Sequence, residues 1–495
     1  MVYGFSNFGY EGALIEVECL IREGGGFDIV GIADSQIMET KGRVKMALDT
    51  VKKFPKGEVL VSLTPSDMYK DGVSFDLPIS LAILLESKQI KSSGDVLVMG
   101  WLDKDKVNPV KGTFGACQNA IKNGIKYAIL PKGSQVPEGI KVCLVSTMTE
   151  AINALEALDT NCKEKTSEPS SNNIEFEDVS EYSLDDTENQ NDLKFAMAVA
   201  VAGKHNLMTF GNCVGDGRTW LLEGMREILP KLDSNERQIA TRIFSNIGLV
   251  KPNENYITRR PFRMPHFTAT IEGMCGGGVH CNAGEISIAN NGVLFLDEAS
   301  EFRTSVLQML RVPLENGRIT LSRAGRQTVY PADFQLVMTT QSCPCGNYGS
   351  KDRICLCSAK SIERYWKKFS DPLLDRVEIR FDCNSTEQLT TEKMTVERMR
   401  ELITNAWTMQ KKRGVFNGKG YREHIFTEEV NNWFSSGADW QRINRLPISE
   451  RRRWNVITLA RTLADMNCNE KISHSDFELA IKLNADTPLD WLGQI

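Results

Sequence analysis

The sequence predicts an α/β protein in three parts: an α+β domain over residues 1–160, an αβα domain over 193–384 and a helical domain over 385–495. Three observations predict it. Strand-like and helix-like patterns alternate up to a polar, acidic stretch, Asn161–Asp192, that reads as a linker. After it, a strand runs straight into a glycine-rich turn, and a later apolar run ends in paired carboxylates. Beyond about Thr386 the periodicity is helical.

In the first part, Leu14–Leu20 alternates apolar and polar residues as a half-buried strand does. Gly42–Val51 has helical spacing, Glu58–Leu63 reads as a strand, Leu77–Leu85 as a buried helix and Tyr127–Leu130 as a short strand ending at Pro131. In the second, Leu193–Ala202 is helical and Asn206–Phe210 a strand. Gln335–Thr340 (QLVMTT) is a further buried strand. Thr395–Lys411 and Ser449–Asp465 are the clearest helices of the third part.

Bulk properties agree with several ordinary domains. The chain has 495 residues, enough for roughly three domains of ~150. It is 41% hydrophobic with a formal net charge of -5 and a pI near 5.8. That slightly acidic balance does not announce nucleic-acid binding, though it leaves room for a local basic face. The start, MVYGFSNFGYEG, lacks the charged segment and apolar core of a secretory signal, and no apolar run reaches the ~18 residues of a membrane span. A cytoplasmic location and no membrane partner are expected. Its 13 cysteines are then reduced thiols or metal ligands rather than a disulfide framework.

The glycine-rich turn reads Asn212-Cys213-Val214-Gly215-Asp216-Gly217-Arg218-Thr219. A phosphate-binding loop of the form G-x-x-x-x-G-K-[ST] needs glycines for close backbone approach, a cation for the β and γ oxygens and a hydroxyl for Mg²⁺. Gly217 and Thr219 match. Asn212 stands for the first glycine and tolerates left-handed backbone, while Arg218 keeps the charge on a bulkier fork. Asp216 would repel phosphate. Downstream, GVLFLDE (Gly292–Glu298) is a buried strand delivering Asp297 to a Mg²⁺ shell and Glu298 to an attacking water. Gln341, after the QLVMTT strand, has the place of a polar sensor that orients that water. Arg376 in PLLDR sits where an arginine finger could reach a neighbouring subunit's nucleotide. A surface ion pair with Asp375 or Glu378 is its plain alternative.

Longer stretches carry a resemblance. RPFRMPH (Arg260–His266), GEISIANNGVLFLDE (Gly284–Glu298), LRVPLENGRITLSRA (Leu310–Ala324), CPCG (Cys343–Gly346) with a second Cys-x-Cys, and PLLDR (Pro372–Arg376) together resemble the magnesium-chelatase-like AAA+ proteins of the ComM (YifB) family. The resemblance covers nearly the whole chain. It implies a Lon-protease-like N-terminal domain of the ribosomal protein S5 domain 2 kind, a central AAA+ P-loop domain and a helical C-terminal domain. It also implies ATP and Mg²⁺ as cofactors, a homo-hexameric ring, and DNA (single-stranded or branched) as partner of an ATP-driven branch-migration helicase. Arg451, in Ser449-Glu450-Arg451, resembles the sensor 2 arginine that feels a γ-phosphate.

The carry-over has gaps. Arg218, Gln341 and Asn290-Asn291 replace the family's lysine, asparagine and His-His pair, and Ser180-Glu181-Tyr182 its Arg-Gly-Gln opening. Lys70-Asp71-Gly72-Val73-Ser74 resembles a Lon nucleophile turn, but Phe114 falls where the activating lysine belongs and Lys111 lies a helical turn away, so protease activity is not expected. Cys343, Cys345, Cys355 and Cys357 suit a tetrahedral Zn²⁺ site or a loop of reduced thiols. Cys275, His280 and Cys281 lie in a glycine-rich loop expected to face a ring pore. Arg442, Arg445, Arg452, Arg453 and Arg461, with Trp440 and Trp454, form a basic cluster for DNA phosphates or a charge-paired helix face. Two readings stay open: an ATP-hydrolysing DNA motor, and a hydrolysis-deficient relative that serves as an assembly or regulatory scaffold.

Overall fold

A computed structural model describes residues 1–31, 35–66, 68, 70, 72–164, 174–177, 183–187, 190–211, 217–251, 254, 256–323, 326–350, 353–414, 430, 432–488 and 490. Asp71, Ser180-Glu181-Tyr182 and, in the glycine-rich turn, Asn212, Gly215 and Asp216 fall outside them.

The N-terminal part is built on an eight-stranded mixed sheet. Its strands run from edge to edge as Lys163–Glu164, Lys141–Val145, Tyr127–Pro131, Val96–Val98, Val2–Ser6, Ala13–Arg22, Glu58–Thr64 and Gly26–Val30. Helix Asp76–Glu86 is apolar around its circumference and is buried from Asp76 through Leu84, as such a helix must be. Its first carboxylate is held by Arg43 at 2.7 Å.

The central part is a five-stranded, all-parallel sheet ordered Phe262–Arg263, Val293–Leu296, Gln335–Thr340, Leu207–Phe210, Ile379–Asp382. Parallel strands buried on both faces read as unbroken apolar runs, which is why VLFL and LMTF show no alternation. Alternate residues nonetheless feed two different cores. Leu207, Val293, Phe295, Val337 and Ile379 face helix Asn191–Gly203 and the C-terminal helices. Met208, Leu294, Leu296, Leu336 and Met338 face a core centred on Trp366 and Phe302. The expected α/β class, with its αβα centre, is borne out.

The third part includes helices Val396–Arg413 and Glu450–Met466, packed on helix Asn191–Gly203, and His474–Leu483, packed on Glu450–Met466. Among the described residues no helix is long and apolar enough to cross a membrane.

The described residues in the second half of the acidic stretch are docked rather than solvated. Leu184 is buried and its N–H bonds Glu227 Oε2 at 2.9 Å, Phe176 bridges to Pro230, and Asp192 Oδ1 accepts from Leu389 and Thr390 N–H at 2.9 Å each. Composition alone concealed this because a few apolar anchors and carboxylate-to-backbone bonds suffice to hold a polar segment.

Residues 7–12 also bind the first part to the second. Arg242, on helix Ser234–Ile247, donates to Tyr10 O at 3.0 Å and to Glu11 O and Oε2 at 2.9 Å, and covers the Tyr10 ring. Gly9 N–H donates to His280 O at 3.1 Å, so the loop of Cys275, His280 and Cys281 is anchored at this base.

Candidate nucleotide site

The site is assembled at the C-terminal ends of three adjacent parallel strands, where open parallel sheets place their ligands. Leu207–Phe210 leads to the glycine-rich turn, whose described part begins at Gly217 with φ +74. That left-handed backbone favours glycine and launches the short helix Arg218–Glu223. Thr219 Oγ1 donates to Asp297 Oδ1 at 3.1 Å, and Thr339 Oγ1 donates to the same oxygen at 2.6 Å. Thr339 in turn accepts the Glu298 N–H at 2.8 Å. Glu298 is itself left-handed, with φ +48, a costly conformation for a side chain with a Cβ and one found at functional turns.

Thr219, Asp297, Glu298, Gln341 and Arg218 line one cavity of about 890 Å³, together with Arg364. Its size suits a small-molecule ligand. Hydroxyl and carboxylate oxygens in contact are the hard donors that Mg²⁺ takes with a nucleotide, so Thr219 and Asp297 fit that ion. Arg218 Nη1 lies 3.2 Å from Thr340 O and 3.9 Å from Cys383 Sγ. Cys383 lines a second cavity of about 1110 Å³, shared with Asp192 and Arg452 between the sheet edge and the C-terminal helices. Arg218 therefore lines the first cavity and touches a residue that lines the second.

Besides Arg364, three contributors escaped the sequence reading. Thr339 lies two residues before Gln341, on the same face of its strand, and strand period could have found it. Tyr365 Oη bonds Thr340 Oγ1 at 2.8 Å and receives the Gln341 N–H at 3.3 Å, tying helix Ala359–Trp366 to the sensor strand. Lys368 Nζ donates to Ser300 O at 2.8 Å. Neither had a local signal.

Arg376 and Arg451 are brought together away from this cavity's lining. Both hold Glu315 Oε2, at 2.5 and 2.7 Å. Burial would raise the Glu315 pKa, but Arg451 and Arg376 more than offset it and hold the carboxyl below its usual range. The Arg376 pKa is also lowered, by burial and by the charge of Arg451.

Of the basic cluster, Arg452 and Arg461 are buried structural ions. Arg452 bonds Asn484 Oδ1 at 2.7 Å and Asp486 at 2.6 Å, and Arg461 holds Asp465 at 2.9 Å. Arg445 remains exposed.

The four cysteines Cys343, Cys345, Cys355 and Cys357 converge, with all Sγ atoms within 4.8 Å of one another. A backbone N–H from Asn347 and the neighbouring thiols lower the Cys345 pKa to about 6. In the N-terminal part, Ser74 Oγ bonds Phe5 O at 3.4 Å, Phe114 is fully buried, and the chain of Lys111 lies against Gly248 of the central part.

The family description "Magnesium chelatase, subunit ChlI" matches residues 183–391, and "Subunit ChlI of Mg-chelatase" matches residues 15–134. The chain is 30% identical to Competence protein ComM of Haemophilus influenzae, over 95% of this chain and 94% of that one. It is 28% identical to YifB of Escherichia coli, over 98% and 97% respectively. A shorter likeness, 26% over 172 residues, links 32% of this chain to 21% of a Lon protease of Fervidobacterium nodosum.

Proposed function

This chain belongs to the magnesium-chelatase-like family of ComM and YifB, and on that premise we propose that it is a ring-forming AAA+ ATPase coupling ATP hydrolysis to DNA processing. The observation that carries this reading is the convergence of Thr219 and Thr339 on Asp297, with Glu298 beside them in an open cavity.

Thr219 and Asp297 would hold Mg²⁺ with the nucleotide, which supplies charge neutralisation at the phosphates. Gly217 and Arg218, with Asn212 and Gly215, would cradle those phosphates. Glu298 takes a proton from the attacking water, and Gln341 orients that water. Arg376 and Arg451 complete the site of an adjacent copy. Two cations on one carboxylate repel each other, and a γ-phosphate arriving between them would relieve that repulsion. Zn²⁺ on Cys343, Cys345, Cys355 and Cys357 is the second metal of this reading.

The working assembly in this reading is a homo-hexamer in the cytoplasm, acting on single-stranded or branched DNA as a branch-migration helicase in natural transformation or recombination; the printed name of the relative, Competence protein ComM, supports the competence setting alone. Residues 1–160 act as a Lon-like domain without protease activity, 193–384 as the motor and 385–495 as its helical partner. A hydrolysis-deficient scaffold is the second reading, favoured by the bond of Arg218 to the Thr340 carbonyl instead of an open position.

The test is Mg²⁺-dependent phosphate release by the purified protein, with and without branched DNA, beside Glu298→Gln. Turnover raised by DNA and lost in the variant supports the motor. Turnover no higher than in the variant, with ATP still bound, selects the scaffold.

A further inference from the structure

Two residues after Gln341 the chain enters a segment, Cys343 to Cys357, with no helix or strand among its described residues. Three of its thiols sit at 3.4, 3.7 and 3.6 Å from one another (Cys343–Cys345, Cys343–Cys355 and Cys345–Cys355). A tetrahedron of thiolates around Zn²⁺, with Zn–S near 2.3 Å, places its sulfurs roughly 3.8 Å apart. The thiols therefore stand at nearly the spacing that the metal demands. Tyr348 N–H also donates to Cys343 Sγ at 3.3 Å, a bond that stabilises a thiolate.

The side chains between the thiols point the same way. In Arg353-Ile354-Cys355-Leu356-Cys357 the cysteines are half-buried against the core around Trp366 while Ile354 and Leu356 are 82% and 90% exposed. A loop of plain reduced thiols gains most by the opposite arrangement, with its aliphatics buried and its sulfurs outside. Exposing two aliphatics to bring two sulfurs inward is reasonable only where the sulfurs bind something stronger than van der Waals contact.

The segment also touches the cavity. Pro344 lines it, and a Cβ on Gly346 would come 2.8 Å from Gln341 Oε1, so the Cys343–Gly346 turn lies directly on the sensor side chain. Ser342 O accepts the Trp366 Nε1–H at 2.9 Å, and Ser358 Oγ caps helix Ala359–Trp366. The chain from the sensor strand to that helix thus runs through the four thiols, beside the direct bonds of Tyr365 to Thr340 and Gln341.

We infer that Cys343, Cys345, Cys355 and Cys357 bind Zn²⁺ as four thiolates and that this centre positions Gln341 against the phosphate end of the cavity. Binding releases the thiol protons and needs no oxidant. The positioning half rests on the nucleotide reading above; the metal half does not.

The experiment uses full-length protein purified under reductant without chelator. Zinc is counted per chain in the wild type, Cys345→Ser and Cys355→Ser. Exchange with Co²⁺ is read for the intense visible bands of a tetrahedral tetrathiolate. One zinc per chain, lost in both variants, with the tetrathiolate spectrum, is expected. Absence of zinc, or zinc unchanged in both variants, overturns the site.

For positioning, zinc is stripped with a mercurial and chelator and then restored, in wild type and in Gln341→Ala. Stripping should lower kcat by about 10–100-fold in wild type, as loss of a supporting shell does, and have little effect in Gln341→Ala. Equal losses in both proteins overturn positioning and leave the metal site standing. If zinc-loaded wild type shows no turnover, ATP affinity replaces kcat in the same comparison. If it binds no ATP either, the nucleotide reading and positioning fall together while the zinc count still decides the site.

Discussion

The first and second parts of this chain each carry an altered catalytic motif, and the structure treats them differently. In the N-terminal part Ser74 bonds a main-chain carbonyl of Phe5, and Phe114 fills the core where a base belongs. On the reading proposed above, packing stands there in place of chemistry. In the central part, equally altered letters, Arg218 and Gln341 among them, still line an open cavity beside Asp297 and Glu298. A departure from a motif therefore says little by itself. What separates a relic from a candidate site is whether the remaining polar groups converge on accessible space.

That contrast can be broken by measurement. Arg376→Ala should reduce turnover of the assembled protein by about 10³-fold or more, the usual weight of an arginine finger. Steady-state phosphate release checks it, and undiminished turnover would return Arg376 to the role of an ion-pair partner for Glu315. Asp297→Asn should lower Mg²⁺-dependent turnover by about 10²–10³-fold, since the metal contributes several kcal/mol at the transferring phosphate. Ser74→Ala, assayed beside it, should change nothing.

Phe114→Ala should destabilise the N-terminal part by about 3–5 kcal/mol, the cost of emptying a buried aromatic site. Denaturant unfolding would read that loss, and ATP affinity should be retained. A neutral result would mean that Phe114 does not carry the packing of that core. The smallest effect is expected at Arg445. If it meets a DNA phosphate, Arg445→Ala should flatten the slope of log affinity against log salt by about 0.9 on duplex. Arg461→Ala should instead lower the melting temperature, because it removes one of the two guanidiniums, with that of Arg413, that hold the buried Asp465.

Much of this was legible in the sequence. QLVMTT is the strand Gln335–Thr340 at both ends, and the helix read at Ser449–Asp465 is Glu450–Met466. The run ending in Asp297-Glu298 is a central strand of the parallel sheet. These rest on periodicity and breakers, which act over a few residues and are written locally. The resemblance to the magnesium-chelatase-like family was likewise carried by contiguous motifs.

What the sequence determined, then, was the set of elements, their faces and the residue types offered to a nucleotide. Tertiary structure decided which of them meet. Glu315 and Arg451 are 136 residues apart, and their pairing with Arg376 required the C-terminal helices to fold back on the central part. Thr339 reaches Asp297 because the order of the parallel strands sets Gln335–Thr340 beside Val293–Leu296. Arg452 and Arg461 read as surface cations until the helices packed and buried them. Spacing put four cysteines near one another, but only the path of the folded segment turned Cys355 and Cys357 inward and Ile354 and Leu356 out. Periodicity is a property of neighbours along the chain, whereas convergence depends on crossovers and packing between distant segments, and no local pattern encodes them.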